Sequence, residues 1–290
     1  MSAIMQFLEG NFGLMVFIFT VTNLIYLGLQ VKMDEVVAGL KDKKSMALIF
    51  VWSWVLGPAL AYLIAWVLPL AEPFVIGLLL CSLAPITPFL PLTVDEARGD
   101  MNFAAALVPV VMVGTVILLP LLGPLMIKGV SVSAWSLAKP LLASVLLPLV
   151  IGVAVRRYAE LVAIRTLPAV NVMAKLTSVI VGVWCVVVYA QEMIETAGSF
   201  ALLSVMLFMV AIGWISYQFG FGLKQSQRSV ISLAMITRNG GPVLIATLAL
   251  PNADSRIVTL VVLVNVGGFI LAPIAARIFG KQAEKNDARY

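Results

Sequence analysis

The stretch ITRNGGPVLIATLAL, residues 236–250, decides how this sequence is interpreted. It lies in an apolar run long enough to cross a membrane, yet it contains Arg238 and the helix-breaking order Gly240-Gly241-Pro242. An arginine at the centre of a membrane helix costs about 2.5–3.5 kcal/mol. A broken helix also frees backbone polar groups that lipid cannot satisfy. Both costs in one place indicate a binding site inside a membrane domain.

The composition as a whole is that of an integral membrane protein. Of 290 residues, 62% are hydrophobic and 11% are charged, with a mean hydropathy of +1.07. A soluble domain carries roughly a quarter charged residues, so this chain cannot cover its surface with polar groups. Apolar runs of about 20 residues recur along the chain and lack the alternation of a membrane barrel, which leaves the α-helix as the spanning element.

Residues that the chain lacks exclude several kinds of function. There is no histidine, which removes the common nucleophile pairs, the HExxH zinc motif and histidine-ligated haem. Cys81 and Cys185 both lie in apolar runs and form neither a disulfide framework nor a metal-binding pattern. We therefore expect neither an enzyme nor a protein with a metal or a covalent cofactor. The net charge of +5 comes from loops and the tail, so we expect no nucleic-acid partner.

We predict an all-α polytopic membrane protein with nine transmembrane helices. Lys and Arg residues follow helices 1, 3, 5, 7 and 9, whereas the other side holds only Lys128, Lys139 and Arg256. The positive-inside rule then places the amino terminus outside and the carboxyl terminus in the cytoplasm of the cell inner membrane. The approximate spans are 12–32, 46–68, 73–92, 101–127, 137–155, 167–190, 199–223, 229–250 and 256–279.

The order of helices indicates an inverted repeat. Residues 12–127 and 167–279 match in helix order and spacing, offset by about 155 residues, and the helix 137–155 has no counterpart. Because four helices and one unpaired helix precede the second copy, its first helix enters the membrane from the opposite side. The two copies therefore have opposite orientations in the membrane. Residues 280–290 then form a cytoplasmic tail, and the whole chain is one membrane domain.

The third helix of each copy is interrupted. The first interruption is CSLAPITPFLPLTVDEARGD, residues 81–100, with Pro85, Pro88 and Pro91, and the second is RNGGPVLIA, residues 238–246. Interrupted helices at corresponding places in two inverted halves are the best sequence indication of a transporter's binding site. Prolines that merely kink packed helices are the alternative, but two interruptions at matched positions favour a site.

The interruptions predict the substrate-binding residues. A half-helix beginning at Pro242 would present its positive end to an anion, and the planar guanidinium of Arg238 suits two-point contact with a carboxylate. Asn265 lies deep in the last helix, where it either lines the site or bonds a neighbouring helix. The predicted set is Arg238, Asn239, Gly240, Gly241, Asn265, Thr87 and Pro88.

Asp95 and Glu96 are the only close pair of acidic residues near an interruption. We assign them a coupling or gating role at the cytoplasmic exit. Two alternatives remain open from the sequence. The pair either forms a solvated helix end, or one of its carboxylates forms an internal ion pair with Arg238.

These features resemble the sodium/bile acid symporter family over roughly residues 12–279, on the two interrupted stretches quoted above and the helix order. The resemblance implies that the two broken helices cross in a core domain and that a separate panel domain rocks against it. The family's sodium ligands are largely missing here. Ala234 stands where the family has an acidic residue, Arg238 stands where it has glutamine, and AAALVPVVMVG, residues 104–114, lacks the usual hydroxyls. Asn239 and Asn265 match family asparagines.

The expected function is therefore a secondary active transporter that moves a small organic anion by alternating access, with Arg238 at the site. The missing oxygen ligands place sodium coupling in doubt, and a bound sodium ion stays open as an alternative. Arg238 is hypothesised to place a fixed positive charge where relatives bind sodium, in which case coupling would come from protons, from exchange or not at all. The alternatives are an arsenite- or auxin-efflux-type carrier of the same architecture, or a non-transporting membrane sensor. The lipid bilayer is the expected surrounding, and the oligomeric state is left open.

Overall fold

The protein is built from helices throughout the residues that the computed structural model describes, which are 3–87, 90–126, 133–250 and 254–287. Their bounds are α1 Ala3–Gln30, α2 Met33–Lys41, α3 Lys43–Val67, α4 Glu72–Ser82, α5 Leu90–Glu96, α6 Met101–Met126, α7 Ala134–Tyr158, α8 Glu160–Glu195, α9 Ala201–Gln218, α10 Gln225–Ile236, α11 Gly240–Leu248 and α12 Ser255–Asp287.

Seven of these helices, α1, α3, α6, α7, α8, α9 and α12, are long and apolar enough to cross a membrane. The chain is thus a polytopic helical membrane protein. The other two predicted spans, 73–92 and 229–250, each form two shorter helices: α4 and α5 in the first, α10 and α11 in the second. Proline and glycine at these positions end one helix before the next begins.

Some helix bounds differ from the predicted ones. The nine-residue α2 was not predicted, because it is too short and too amphipathic to stand out among membrane spans. The predicted helix 167–190 is longer, since α8 has 36 residues and extends to roughly 54 Å at 1.5 Å per residue. Helix α12 continues to Asp287 and so includes most of the predicted tail.

Two of the long helices each contain one widened turn. In α3 a π-helical turn covers Trp52–Leu56 and precedes Pro58, and in α7 a π-helical turn covers Leu142–Leu146 and precedes Pro148. Proline has no amide hydrogen and its ring crowds the preceding turn. The wider turn accommodates that ring without ending the helix, so both helices remain long enough to span the membrane.

Helix α1 packs tightly against α7 and α8. A Cβ added at Gly28 would lie 2.8 Å from the Cα of Gly152, so the α1 and α7 backbones are in direct contact there. On the other side of α1, the hydroxyl oxygens of Thr22 and Thr177 are 2.9 Å apart. Small residues allow such close approach and hydroxyls add hydrogen bonds between membrane helices. The three helices therefore form one packed group.

The remaining helices surround the two interrupted ones. A Cβ at Gly77 of α4 would lie 2.9 Å from a side-chain carbon of Leu260 in α12, and Gly213 of α9 packs directly against Ile236 of α10. Helix α11 also contacts α1, since a Cβ at Gly241 would lie 2.6 Å from Oγ1 of Thr20. The interrupted helices are thus enclosed by this second group and bounded on one side by α1.

Candidate functional site

The two non-helical interruptions lie against each other inside the protein. Pro85 and Arg238 pair as an isolated antiparallel bridge, and the amide of Asn239 donates to the carbonyl of Ala84 at 2.9 Å. The amide of Ile86 lies 3.2 Å from two carbonyl oxygens around the end of α10. Backbone groups that one interruption leaves free are therefore bonded by the other. We call residues 84–87 and 237–239 the helix crossing.

Helix ends of both polarities meet at the crossing. Helix α4 ends at Ser82 and α10 ends at Ile236, while α11 begins at Gly240. The carboxyl ends of helices carry partial negative charge and the amino ends carry partial positive charge. Because the crossing is buried, lipid and bulk water screen these charges poorly. The crossing therefore presents partial charges of both signs to any group that lies within it.

Ile86 adopts a left-handed backbone conformation, with φ of 68°, and its side chain is fully buried. This region is unfavourable for a β-branched residue. Such strain costs about 1–3 kcal/mol and persists only where surrounding contacts enforce it. Here the two amide contacts described above hold the residue, so the geometry of the crossing is imposed by the packing of both interruptions.

Arg238 is the largest fully buried side chain, with 1% of its surface exposed. Its Nη1 donates to the carbonyl oxygen of Ser82 at 3.2 Å, at the carboxyl end of α4. Its Cζ lies 4.7 Å from the centroid of the Phe208 ring, in a cation–π arrangement. Within the described residues, Nε and Nη2 have no hydrogen-bond partner. The guanidinium is therefore stabilised on one end and one face but remains free along one edge.

No carboxylate of the described chain neutralises Arg238. Glu96 pairs with Arg277 at 2.9 Å, and both side chains are well exposed. Asp95 is exposed at the end of α5. The alternative of an internal pair between Arg238 and one of these acids is therefore not formed in this structure. The proposed gating role of Asp95 and Glu96 stays a prediction, located at the surface and not at the crossing.

The amino end of α11 is covered by two polar side chains. Gly240 packs directly against the amide of Asn265, whose Nδ2 donates to the carbonyl of Val261 in its own helix at 2.7 Å. The Oγ1 of Thr20 would lie within 2.6 Å of a Cβ at Gly241. Any side chain at either glycine would displace these groups, so glycine allows α1 and α12 to approach the helix end.

Asn239 lies next to Arg238 but points elsewhere. Its Nδ2 lies 3.0 Å from the sulfur of Met112 in α6, which is a weak acceptor. Its backbone carries the bond to Ala84 that holds the crossing. The structure thus brings together Arg238, Asn239, Gly240, Gly241 and Asn265, as the prediction grouped them, while their roles in binding stay predictions.

Thr87 lies in the crossing, is buried, and has no hydrogen-bond partner for Oγ1 among the described residues. Pro88 lies outside the described residues. Ser53, in the π-helical turn of α3, is another buried hydroxyl whose oxygen has no partner in the described chain. Ser53 and Phe208 were not predicted from the sequence, because a serine or phenylalanine within an apolar span carries no signal of its own.

The crossing does not fit a hard metal cation. Such an ion needs about six oxygen ligands, normally with a carboxylate. Ala234 supplies none, and the free groups of Arg238 are N–H donors. Within the parts of the chain that the structure describes, no group of three or more His, Cys, Asp or Glu side chains is placed to hold a metal ion. The polar groups of the crossing fit an anion better than a cation.

Comparison with known protein families identifies a match. The model of a family described as the Sodium Bile acid symporter family matches residues 16–200, which is more than half of the chain. No curated protein matches the chain.

Proposed function

Because the chain belongs to the sodium bile acid symporter family, we propose that it is a secondary active transporter that moves a small organic anion by alternating access, with Arg238 at the site. The observation that carries the proposal is the buried guanidinium at the crossing, which has a free edge and no carboxylate partner among the described residues. Burying an unpaired charge is costly. A membrane protein that retains one is expected to bind an ion of opposite charge there.

An inverted repeat supports alternating access. Ala84 and Asn239, which bond at the crossing, are 155 positions apart, as are Thr22 and Thr177. Contacts between equivalent positions of two copies are expected where the copies meet at a two-fold axis. The offset equals the one that the sequence predicts for the repeat. We therefore propose that nine membrane segments, two of them interrupted, form two inverted copies around the single helix α7.

Two helix groups supply the parts that would move. We propose that α1, α7 and α8 form the panel domain and that the interrupted helices with α3, α6, α9 and α12 form the core domain. The crossing lies at their boundary, where Thr20 of α1 contacts the amino end of α11. Rocking of the core against the panel would expose this boundary to one side of the membrane at a time. We place the carboxyl terminus in the cytoplasm of the inner membrane.

Sodium is not required in this proposal, because Arg238 supplies a fixed positive charge. The test is uptake of radiolabelled small carboxylates, tried one by one, into proteoliposomes, with sodium or choline as the only external cation. We expect equal uptake in both and at least a tenfold loss in Arg238→Gln. Lys175→Gln is the matched control, since Lys175 is an exposed cation of α8.

The outcomes separate the candidate functions. Uptake that requires sodium would reject the fixed-charge mechanism. Binding of a carboxylate without any flux would reject transport and favour a membrane sensor that retained the fold. Unaltered uptake by Arg238→Gln would remove Arg238 from the site.

A further inference from the structure

We propose that the free edge of Arg238, formed by its Nε and Nη2 atoms, binds one compact monovalent anion. The expected ligand is a small monocarboxylate, and a halide ion can take the same position. The site is expected to reject dianions and bulky organic anions. This inference deepens the proposed function by naming the anion class of the crossing. The role of this anion in transport rests on the proposed function. Binding of the anion to Arg238 is measured without transport.

The orientation of the guanidinium defines the shape of the ligand. Nη1 is used by the Ser82 carbonyl, and the two free donors, Nε and Nη2, lie along the same edge of the planar group. Two parallel N–H donors at this spacing match the two oxygens of a carboxylate. A lysine in this position would offer only a single charged point. The edge therefore favours a carboxylate by geometry as well as by charge.

The charge balance limits the ligand to one negative charge. No second Lys or Arg, and no Asp or Glu, interacts with Arg238 within the described residues, where the one ionisable neighbour is the buried thiol of Cys81. One monovalent anion makes a neutral pair, whereas a dianion would leave a net negative charge in an interior of low dielectric. An unpaired buried charge is strongly unfavourable. We therefore expect sulfate to bind far more weakly than formate or acetate.

The enclosure of Arg238 limits the ligand's size. The Phe208 ring covers one face at 4.7 Å, and a Cβ at Gly57 would lie 4.0 Å from Nη2. With 1% of Arg238 exposed, an anion on this edge is surrounded by protein. We therefore expect the site to take an anion of a few heavy atoms, since a steroid-sized one would have to force the crossing open.

Two buried hydroxyls belong to the segments that pack around Arg238. Ser53 lies one turn before Gly57 on α3, and Thr87 belongs to the crossing itself. Both oxygens are buried without a partner among the described residues. A buried hydroxyl without a partner is unfavourable, and an anion at the crossing would accept from it. Among the described residues, all but one of the unpartnered buried side-chain atoms thus belong to α3 and the crossing, the exception being Oδ1 of Asn171 in α8.

The experiment is a melting titration of the purified, detergent-solubilised protein at constant ionic strength. Formate, acetate and bromide are compared with sulfate, a dianion, and gluconate, a bulky monocarboxylate. A ligand that binds only the folded state raises the melting temperature saturably. We expect saturable rises with the first three salts and at least tenfold weaker effects of the other two. Lys175→Gln should respond like the parent, whereas Arg238→Gln should not respond.

Arg238→Lys supplies a second variant that keeps the buried charge. We expect its apparent formate affinity to fall at least tenfold while the bromide response persists, because a halide does not need two-point contact. Equal responses to sulfate and formate, or a saturable formate response in Arg238→Gln, would overturn the proposal. If neither variant folds, anomalous density of bromide in the parent protein decides: a peak on the Nε and Nη2 edge supports the site, and its absence rejects it.

Failure of this inference and failure of the proposed function give different results. A saturable formate shift without flux of any carboxylate rejects transport and leaves the anion site intact. Flux of a carboxylate without any melting response to formate, acetate or bromide rejects the compact site and leaves transport intact.

Discussion

The contact between α1 and α7 provides a sharp test of the packing. A Cβ at Gly28 would lie 2.5 Å from the carbonyl oxygen of Leu149 and 2.8 Å from the Cα of Gly152, whereas ordinary contacts begin at 3.4 Å. Since both atoms belong to the backbone of α7, neither can rotate away. Gly28→Ala therefore requires the two helices to separate by roughly 1 Å along a close-packed interface.

The expected size follows from two opposing effects. Forcing a methyl group into a packed interior costs about 1–3 kcal/mol, while alanine in a helix gains about 0.5–1 kcal/mol over glycine. Gly28→Ala should therefore lower the free energy of unfolding by up to about 2.5 kcal/mol. Gly182 of α8 is the matched control, because a Cβ there meets nothing within 4 Å. Gly182→Ala should stabilise by about 0.5–1 kcal/mol.

The assay is unfolding of the detergent-solubilised protein by sodium dodecyl sulfate, followed by tryptophan fluorescence. The difference between Gly28→Ala and Gly182→Ala isolates the packing effect, since the helix preference is common to both. Gly152→Ala should add little to Gly28→Ala, because one separation of the helices relieves both overlaps. A Gly28→Ala variant as stable as Gly182→Ala would show that α1 and α7 do not meet in this way.

Three further predictions concern groups outside the anion site. Trp54→Phe removes the indole donor to the Leu83 carbonyl at 3.1 Å, and the orphaned oxygen should cost about 1–3 kcal/mol in the same unfolding assay. Gly114→Leu pushes directly against the Trp54 ring and should lower the melting temperature, whereas an unchanged value would refute that contact. Hydrogen bonds from Ser45 lower the pKa of Asp42, which caps the amino end of α3. The stability that this cap contributes should be fully present above an ordinary carboxyl pKa of about 4 and should be lost as the pH falls through the lowered pKa. Asp42→Ala should cost about 1 kcal/mol at pH 7 and remove that pH dependence of the unfolding free energy.

The sequence predicts the membrane helices well because each depends on a single property, a long apolar run. The interruptions were predictable for a similar reason, since Gly240, Pro242 and Pro85 act on their own backbone. Helix α2 was missed because its nine amphipathic residues do not stand out among the membrane spans, and its contact with α6, where Gly39 packs against Ala106, cannot be read from the sequence. The local sequence pattern therefore predicts the long helices and the interruptions, whereas a short helix such as α2 depends on contacts with neighbouring helices.

The candidate site was only partly predictable. An arginine in an apolar run is conspicuous in the sequence because its burial in a membrane is energetically costly, and Arg238 is buried in the structure. The partners of Arg238 could not be identified from the sequence, because its hydrogen-bond acceptor at Ser82 is a backbone carbonyl, a group that every residue possesses. Phe208 is one aromatic residue among many in apolar spans, and only its position over the guanidinium gives it a role. Which edge of Arg238 stays free is likewise a property of the assembled helices.

Because main-chain atoms of Ala84, Ile86 and Asn239 join the two interruptions, the crossing does not depend on the identity of most side chains around it. A substitution in the lining that fits its space is therefore expected to leave these main-chain bonds in place. Exchanging one polar side chain there for another is thus a change of chemistry within a retained backbone framework.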